Sequence, residues 1–216
     1  MALRRDVLTM LGIGLTTVGA GFLVKKTYDE IKPAAVEMVG VHKIPNVPLV
    51  THQGKHVRFY DDLVRDKILI MNMMYTSCSG VCPLTTANLI HVQRLLTEQL
   101  KVPFTMCSLT LDPAVDDPDI LAWYVQQYKL PNEWIYLTGK PENVHLVRTA
   151  LGFYDVEPSV DSDFASHTGM LRLGHERFER WSMMPAQGQP QQIVNAILHL
   201  ARQNLHSNIV PVANPA

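Results

Sequence analysis

The chain has 216 residues, of which 47% are hydrophobic and 18% charged, with a formal net charge of -1 at pH 7. That balance excludes a chain disordered throughout, and it gives no electrostatic reason to expect nucleic acid as a partner. Three cysteines are too few for a disulfide-stapled small fold, and their odd number leaves at least one thiol unpaired within the chain.

Residues 1–26, MALRRDVLTMLGIGLTTVGAGFLVKK, read as an export signal or a membrane anchor. Arg4 and Arg5 precede an apolar run from Val7 to Val24, closed by Lys25 and Lys26, a pattern that resembles a twin-arginine signal. Val18-Gly19-Ala20 offers small residues for cleavage. Left uncleaved, the run is just long enough for a bilayer, which takes about 20 residues to span. Gly12, Gly14, Gly19 and Gly21 argue against a buried helix of the fold. Either outcome is expected to put the domain in the periplasm or on the outer side of the inner membrane, where thiols meet oxidants. Residues 27–47 are expected to be a tether, since Pro33, Gly40 and Pro45 interrupt any periodicity.

The folded domain is expected over 48–203, with a flexible tail over 204–216. It opens on VPLVTHQGKHVRFY, where two strand-like runs flank His52-Gln53-Gly54-Lys55 as a hairpin. KILIMNMMY, Lys67 to Tyr75, is a continuous apolar run suited to a strand buried on both faces. Pro83 fits the first turn of the helix that follows, and Leu89, Val92, Leu96 and Leu100 share one of its faces. PFTMCSLTL, Pro103 to Leu111, is the next strand. Asp117 and Pro118 read as cap and first residue of a helix. Trp134 to Thr138 is a third buried strand, and Pro141 opens a helix that Gly152 stops. Beyond an irregular acidic stretch, TGMLRL and RFERW surround Gly174-His175 as a hairpin, and Pro190 to Ala201 forms a last amphipathic helix. Strands alternating with helices imply a largely parallel sheet covered on both faces. With the closing hairpin and helix, the expected class is α/β and thioredoxin-like, a central mixed sheet flanked by helices.

The chemistry gathers in YTSCSGVCPLTTANL. Cys78 and Cys82, three residues apart, fall in the loop after a buried strand and at the start of a helix. The helix N-terminus presents unpaired N–H groups and partial positive charge, which favour thiolate over thiol. Thiolate attacks disulfides and also binds soft metals such as Cu(I) and zinc. A passive disulfide is the third possibility, although closing so short a loop constrains the unfolded chain little. For a metal, two sulfurs are an incomplete set. Among nine histidines, His167 in SHTGMLRL is the candidate third ligand, because in a thioredoxin-like fold the loop before the closing hairpin faces the cysteine loop. Taken without that placement it is a surface histidine. Cys107, mid-strand, reads as a small buried hydrophobe. Met71, Met73, Met74, Met183 and Met184 could pass on Cu(I) through thioether sulfur; Met71, Met73 and Met74, in a buried strand, read as core instead, and the reading stays open for Met183 and Met184.

YTSCSGVCP, SLTLDPAVDDP and SHTGM, in this order, resemble the Sco/SenC family, and the resemblance runs from about Val47 to Ala201. Family members are exported or membrane-anchored thioredoxin-like proteins that bind copper and assist assembly of the dinuclear copper centre, CuA, of cytochrome c oxidase. The resemblance implies that Cys78, Cys82 and His167 are copper ligands, that the partner is a copper-accepting oxidase subunit, and that an upstream thiol reductant serves the cysteines. Ser79-Gly80-Val81, Val115 and Met73-Met74 depart from the common family pattern and mark a divergent branch. Asp112 and Asp116 either support His167 or a partner, as groups behind a metal ligand do, or serve as turn and cap residues.

Three other functions fit parts of this pattern. A thiol–disulfide reductase would use Cys78 or Cys82 as the attacking thiolate. A redox sensor would report the state of the same pair. A thioredoxin-superfamily peroxidase fits poorly, since Met71 stands where the proline of its Pro-x-x-x-Thr-x-x-Cys environment would be.

Overall fold

The structure, a computed structural model, describes residues 37–39, 43–166 and 168–207. The signal-like segment, most of the expected tether, the end of the tail and His167 lie outside the described residues. In chain order the elements are β1 (Met38–Val39), β2 (Ile44–Pro45), β3 (Pro48–Thr51), β4 (His56–Arg58), a wide helical turn (Phe59–Val64), β5 (Ile68–Met74), α1 (Val81–Gln99), β6 (Phe104–Thr110), α2 (Pro118–Gln127), β7 (Trp134–Thr138), α3 (Pro141–Ala150), α4 (Pro158–Asp161), β8 (Met170–His175), β9 (Arg180–Pro185) and α5 (Pro190–Ser207).

Seven strands make one sheet in the order β4-β3-β7-β6-β5-β8-β9. Its centre is parallel. Ile68 to Met74 pair in step with Phe104 to Thr110, and Met106 to Leu109 pair with Trp134 to Leu137. Each of those strands is followed by a helix, the crossover that parallel pairing requires. Every residue of β5 is buried, as expected of a strand covered on both faces. A polar rung pins the register at depth. Ser108 Oγ donates to Asn72 Oδ1 at 2.6 Å and accepts from Trp134 Nε1 at 2.9 Å, so three adjacent strands share one satisfied network.

The sheet separates two hydrophobic layers. On one face Leu89, Val92 and Leu96 of α1, Leu121 and Tyr124 of α2, and Ile193 and Ile197 of α5 pack on Ile68, Ile70, Met74, Leu171 and Leu173. On the other, Phe59, Leu63 and Val64 of the helical turn and Val144 and Val147 of α3 cover Leu69, Met71, Met73, Leu109 and Leu137. Cys107 belongs to this second layer, 1% exposed, and burial pushes its thiol far above the ordinary range. It is the inert hydrophobe expected from its place mid-strand.

The fold is α/β with a mixed sheet, as anticipated, but less parallel than strand–helix alternation implied. Hairpins flank the parallel centre on both sides: β3–β4 joins through an antiparallel β3–β7 pair, and β8–β9 joins through an antiparallel β5–β8 pair. Their short connections allow no crossover. The closing hairpin also turns later than expected. Gly174 and His175 lie inside β8, paired with Trp181 and Arg180. The turn is Glu176–Phe178, completed by Glu179 in the left-handed region at φ 53°. Gly174 sits in the strand because the indole of Trp181 covers it. A Cβ there would lie 2.1 Å from Trp181 Cε3. Two further elements are additions to the sequence reading. Ile44 and Val47, expected in the tether, are buried in the second layer. Within the acidic stretch α4 is anchored by Arg148, whose Nη1 donates to Asp161 Oδ1 at 2.7 Å.

Candidate metal centre

β5 ends at Met74, and Cys78 N–H donates to the Tyr75 carbonyl at 3.2 Å to close the turn that follows. α1 starts at Val81 with Gly80 in the cap position, and Gly80 has no side chain to satisfy the first N–H groups. Cys78 occupies that role. Backbone groups of Gly80 and Cys82 hydrogen-bond its sulfur, so the sulfur does what a capping oxygen does elsewhere. Both cysteines are free thiols. Cys78 is half-buried, and Cys82, second residue of α1, is 3% exposed.

The two sulfurs are hydrogen-bonded to each other and differ in acidity. Burial works to raise the Cys78 pKa. The Cys82 thiol, the two backbone groups and the Tyr75 hydroxyl, all hydrogen-bonded to its sulfur, outweigh this and hold it below the ordinary thiol value. Cys82 is pushed up to about 12, first by burial, then by donating to Cys78, with the Asp116 charge adding to it. Tyr75 is likewise raised to about 12, by burial and then by its hydrogen bond to Cys78. The arrangement therefore favours thiolate at Cys78 over Cys82, whose proton is shared toward the Cys78 sulfur. In a brief iodoacetamide pulse at neutral pH, Cys78 is expected to be alkylated at least about tenfold faster than Cys82, since one pKa unit is a tenfold change in thiolate fraction. Peptide mass mapping reads the result, and preferential labelling of Cys82 would contradict this assignment.

Asp116 supports the loop from behind. It is 1% exposed, and its carboxylate accepts from Thr76 N–H at 3.0 Å, from the Thr76 hydroxyl, and from Thr110 Oγ1 at 2.5 Å. The cysteine loop is thus tied to the end of β6 two residues before Cys78. Asp112 shapes the turn that delivers Asp116. Its N–H donates to Thr110 Oγ1 at 2.9 Å, and its carbonyl accepts from Asp116 N–H at 2.8 Å. Asp117 is the cap of α2, accepting from Ile120 N–H at 2.9 Å.

His167 lies outside the described residues, but the segments beside it do not. Before it, Phe164 packs against Tyr75, the rings tilted by 47° with centroids 5.8 Å apart. After it, Gly169 lies at φ 62°, and a Cβ there would stand 2.6 Å from Val81 Cγ2. Only glycine allows this backbone to pass so close to the first turn of α1. Among the described residues no set of three histidine, cysteine or acidic side chains gathers into a metal-sized group. Sequence reasoning missed Tyr75, Thr76 and Gly169 as parts of this site. Gly169, next to the SHT triplet, was the signal that could have been used, since a glycine entering a strand often marks close backbone approach.

Two adjacent sulfurs, one of them made more acidic than an ordinary thiol, suit a soft cation or a disulfide exchange partner. Comparison with known proteins narrows this. The SCO1/SenC family model matches residues 43–202. A protein of Stutzerimonas stutzeri named "Putative copper-binding protein" is 27% identical over 132 residues, covering 60% of this chain and 63% of that one. An SCO2-like protein of Rickettsia prowazekii is 24% identical over 105 residues, 49% of this chain and 50% of the other. The chain therefore spans less than two thirds of either relative's length. The crystal structure of Arabidopsis thaliana ScoI with copper bound superposes with a TM-score of 0.58 at 20% identity, over 72% of this chain and 96% of that one. At that identity the likeness establishes the thioredoxin-like fold.

Proposed function

Because the chain belongs to the SCO1/SenC family, we propose that it binds copper through Cys78, Cys82 and His167 and passes it to a partner protein by ligand exchange. The observation that carries this reading is the pair of free, hydrogen-bonded sulfurs at the start of α1, with Cys78 reaching the surface. Thiolates and imidazole are donors that copper accepts. The S. stutzeri relative and the copper-bound Arabidopsis structure point to the same metal.

Copper is cargo in this account. Cys78, the more exposed and more acidic thiol, is where an incoming ligand can reach the ion. Cys82, anchored in the core, retains it until exchange is complete. The acceptor proposed is the CuA centre of cytochrome c oxidase. Oxidation of the two thiols to a disulfide gives two electrons and two protons to an oxidant and removes two ligands. An external thiol reductant restores them. The domain is proposed to work outside the cytoplasm, as a periplasmic protein or held at the inner membrane by residues 1–26, with 27–47 as the connection. Among the described residues no helix is long and apolar enough to cross a membrane.

The asymmetry of the pair also favours a second reading, a thiol–disulfide reductase that keeps a target's cysteines reduced for metallation. Cys78 would attack and Cys82 would resolve the mixed disulfide. His167→Ala separates the two. Copper delivery requires affinity to fall by more than the roughly 10–100-fold seen when a group behind a ligand is removed, with disulfide exchange unchanged. Unchanged copper affinity in His167→Ala, alongside efficient reduction of a target disulfide, would favour the reductase.

A further inference from the structure

Behind the cysteine loop, on the opposite face of the sheet, lies a cavity of about 120 Å³ lined by Met73, Met170 and Met183. These residues come from three neighbouring strands. Met71 pairs with Arg172, which pairs with Met183. Met73 and Met170 each lie two residues from those partners, so the pleat puts all three methionines on one face. Cys82 packs into the other layer, with Ile70 and Met74, so the sheet divides the thioethers from the thiols. The two sites nevertheless open at the same end of the sheet. Phe164 lines the cavity and also packs against Tyr75, at the root of the cysteine loop.

Methionine is the usual filler of core gaps, yet here three contribute to the wall of one hollow. Met73 is buried, while Met170 and Met183 are half-exposed. The Met183 methyl lies 3.8 Å from where a Gly152 Cβ would be, so its tip reaches the loop after α3. Neutral thioethers bind Cu(I) and Ag(I) and have little affinity for hard cations. The surrounding charge suits a cation. Among the described residues, the lining carries Asp155, Asp161 and Asp163 against Arg148, and Arg148 is held by Asp161 through two hydrogen bonds of 2.7 and 2.5 Å.

We propose that this cavity is a second metal site, a thioether pocket for Cu(I) formed by Met73, Met170 and Met183. The identity of the ion rests on the copper reading above, while the soft-cation chemistry rests on the sulfurs themselves. At the same end of the sheet as the cysteine loop, though on its other face, it offers weaker, uncharged ligands from which copper can pass to the thiolates or to which it can retreat.

The test uses the full chain labelled with ¹³C at the methionine ε-methyl groups, carrying Cys78→Ser and Cys82→Ser to remove the thiols. Ag(I), which does not change oxidation state, is the probe, followed by Cu(I) under anaerobic conditions. The expected result is that the Met73, Met170 and Met183 resonances shift together and saturate at one equivalent. Met183→Leu, which conserves volume, should weaken binding at least tenfold. Met73→Leu should do the same, and Met183→Leu keeps the test valid if the buried change perturbs folding. Shifts confined to other methionines, no shift, or an unchanged affinity in both variants would overturn the proposal. Wild type read in parallel separates the two ideas: a methionine response without copper at the thiols would sink the copper-delivery reading and leave the thioether site standing.

Discussion

Cys78→Ser and Cys82→Ser are each expected to abolish tight, stoichiometric copper binding, while the fold survives. Serine keeps the size and loses the soft donor, and copper prefers thiolate to hydroxyl strongly enough that one replacement leaves an incomplete site. The two changes should differ in their side effects. Cys78 is half-buried, and a serine hydroxyl can take over its capping bonds, so Cys78→Ser should leave thermal stability nearly unchanged. Cys82 is 3% exposed, and a hydroxyl there must find a partner at depth, costing about 1–3 kcal/mol. The pH dependence follows from the same geometry. Cys82 holds its proton up to about 12, so at neutral pH copper must displace it. Apparent affinity is then expected to rise roughly tenfold per pH unit for that one proton released. Equilibrium competition against a chelator between pH 6 and 8 reads the slope. A flat profile would mean that Cys82 does not bind as thiolate.

The second large effect is expected at a residue that touches no ligand. Asp116→Ala leaves the Thr76 N–H, the Thr76 hydroxyl and the Thr110 hydroxyl without their shared acceptor in a site 1% exposed to solvent. Buried donors left unpaired cost about 1–3 kcal/mol each before relaxation, so a net loss of about 3 kcal/mol is expected. In a domain of this size that lowers the melting temperature by roughly 10 °C. The loop carrying Cys78 should loosen with it, reducing copper affinity beyond what global stability explains. Asp116→Asn keeps one acceptor oxygen and should fall between. Asp112→Ala is the control. Its described contacts are backbone ones, so its effect on stability should be small. Equal losses at 112 and 116 would show that the carboxylate at 116 has no special part in holding the loop.

Much of this was legible in the sequence because it is local. Asp117-Pro118 and Pro141 announce helix starts within two residues of themselves. The run Lys67 to Tyr75 declares its double burial through composition, and Cys107 declares its inertness by lying inside a strand. The cysteine pair could be placed at the start of a helix from Pro83 and the apolar periodicity after it. What the sequence hid is long-range. Asp112 and Asp116 are alike as letters, and only the turn at Asp112 decides which carboxylate faces Thr76, forty residues earlier. The turn at Glu176–Glu179 was misplaced because Gly174 looks like a turn residue, and only the overlying Trp181 explains a glycine inside the strand. The methionines of β5 read correctly as core. Nothing in their spacing reveals that Met73 lines one hollow with Met170 and Met183, since that depends on the register of three strands.

The central claim is that two cysteines and one histidine hold copper. X-ray absorption at the copper edge of the full chain, loaded anaerobically with one equivalent, tests it most directly when wild type, Cys82→Ser and His167→Ala are compared. The expected result is two sulfur neighbours and one nitrogen neighbour in wild type, one sulfur lost in Cys82→Ser, and the nitrogen lost in His167→Ala. A wild-type spectrum with fewer than two sulfurs, or one that neither substitution alters, would contradict it.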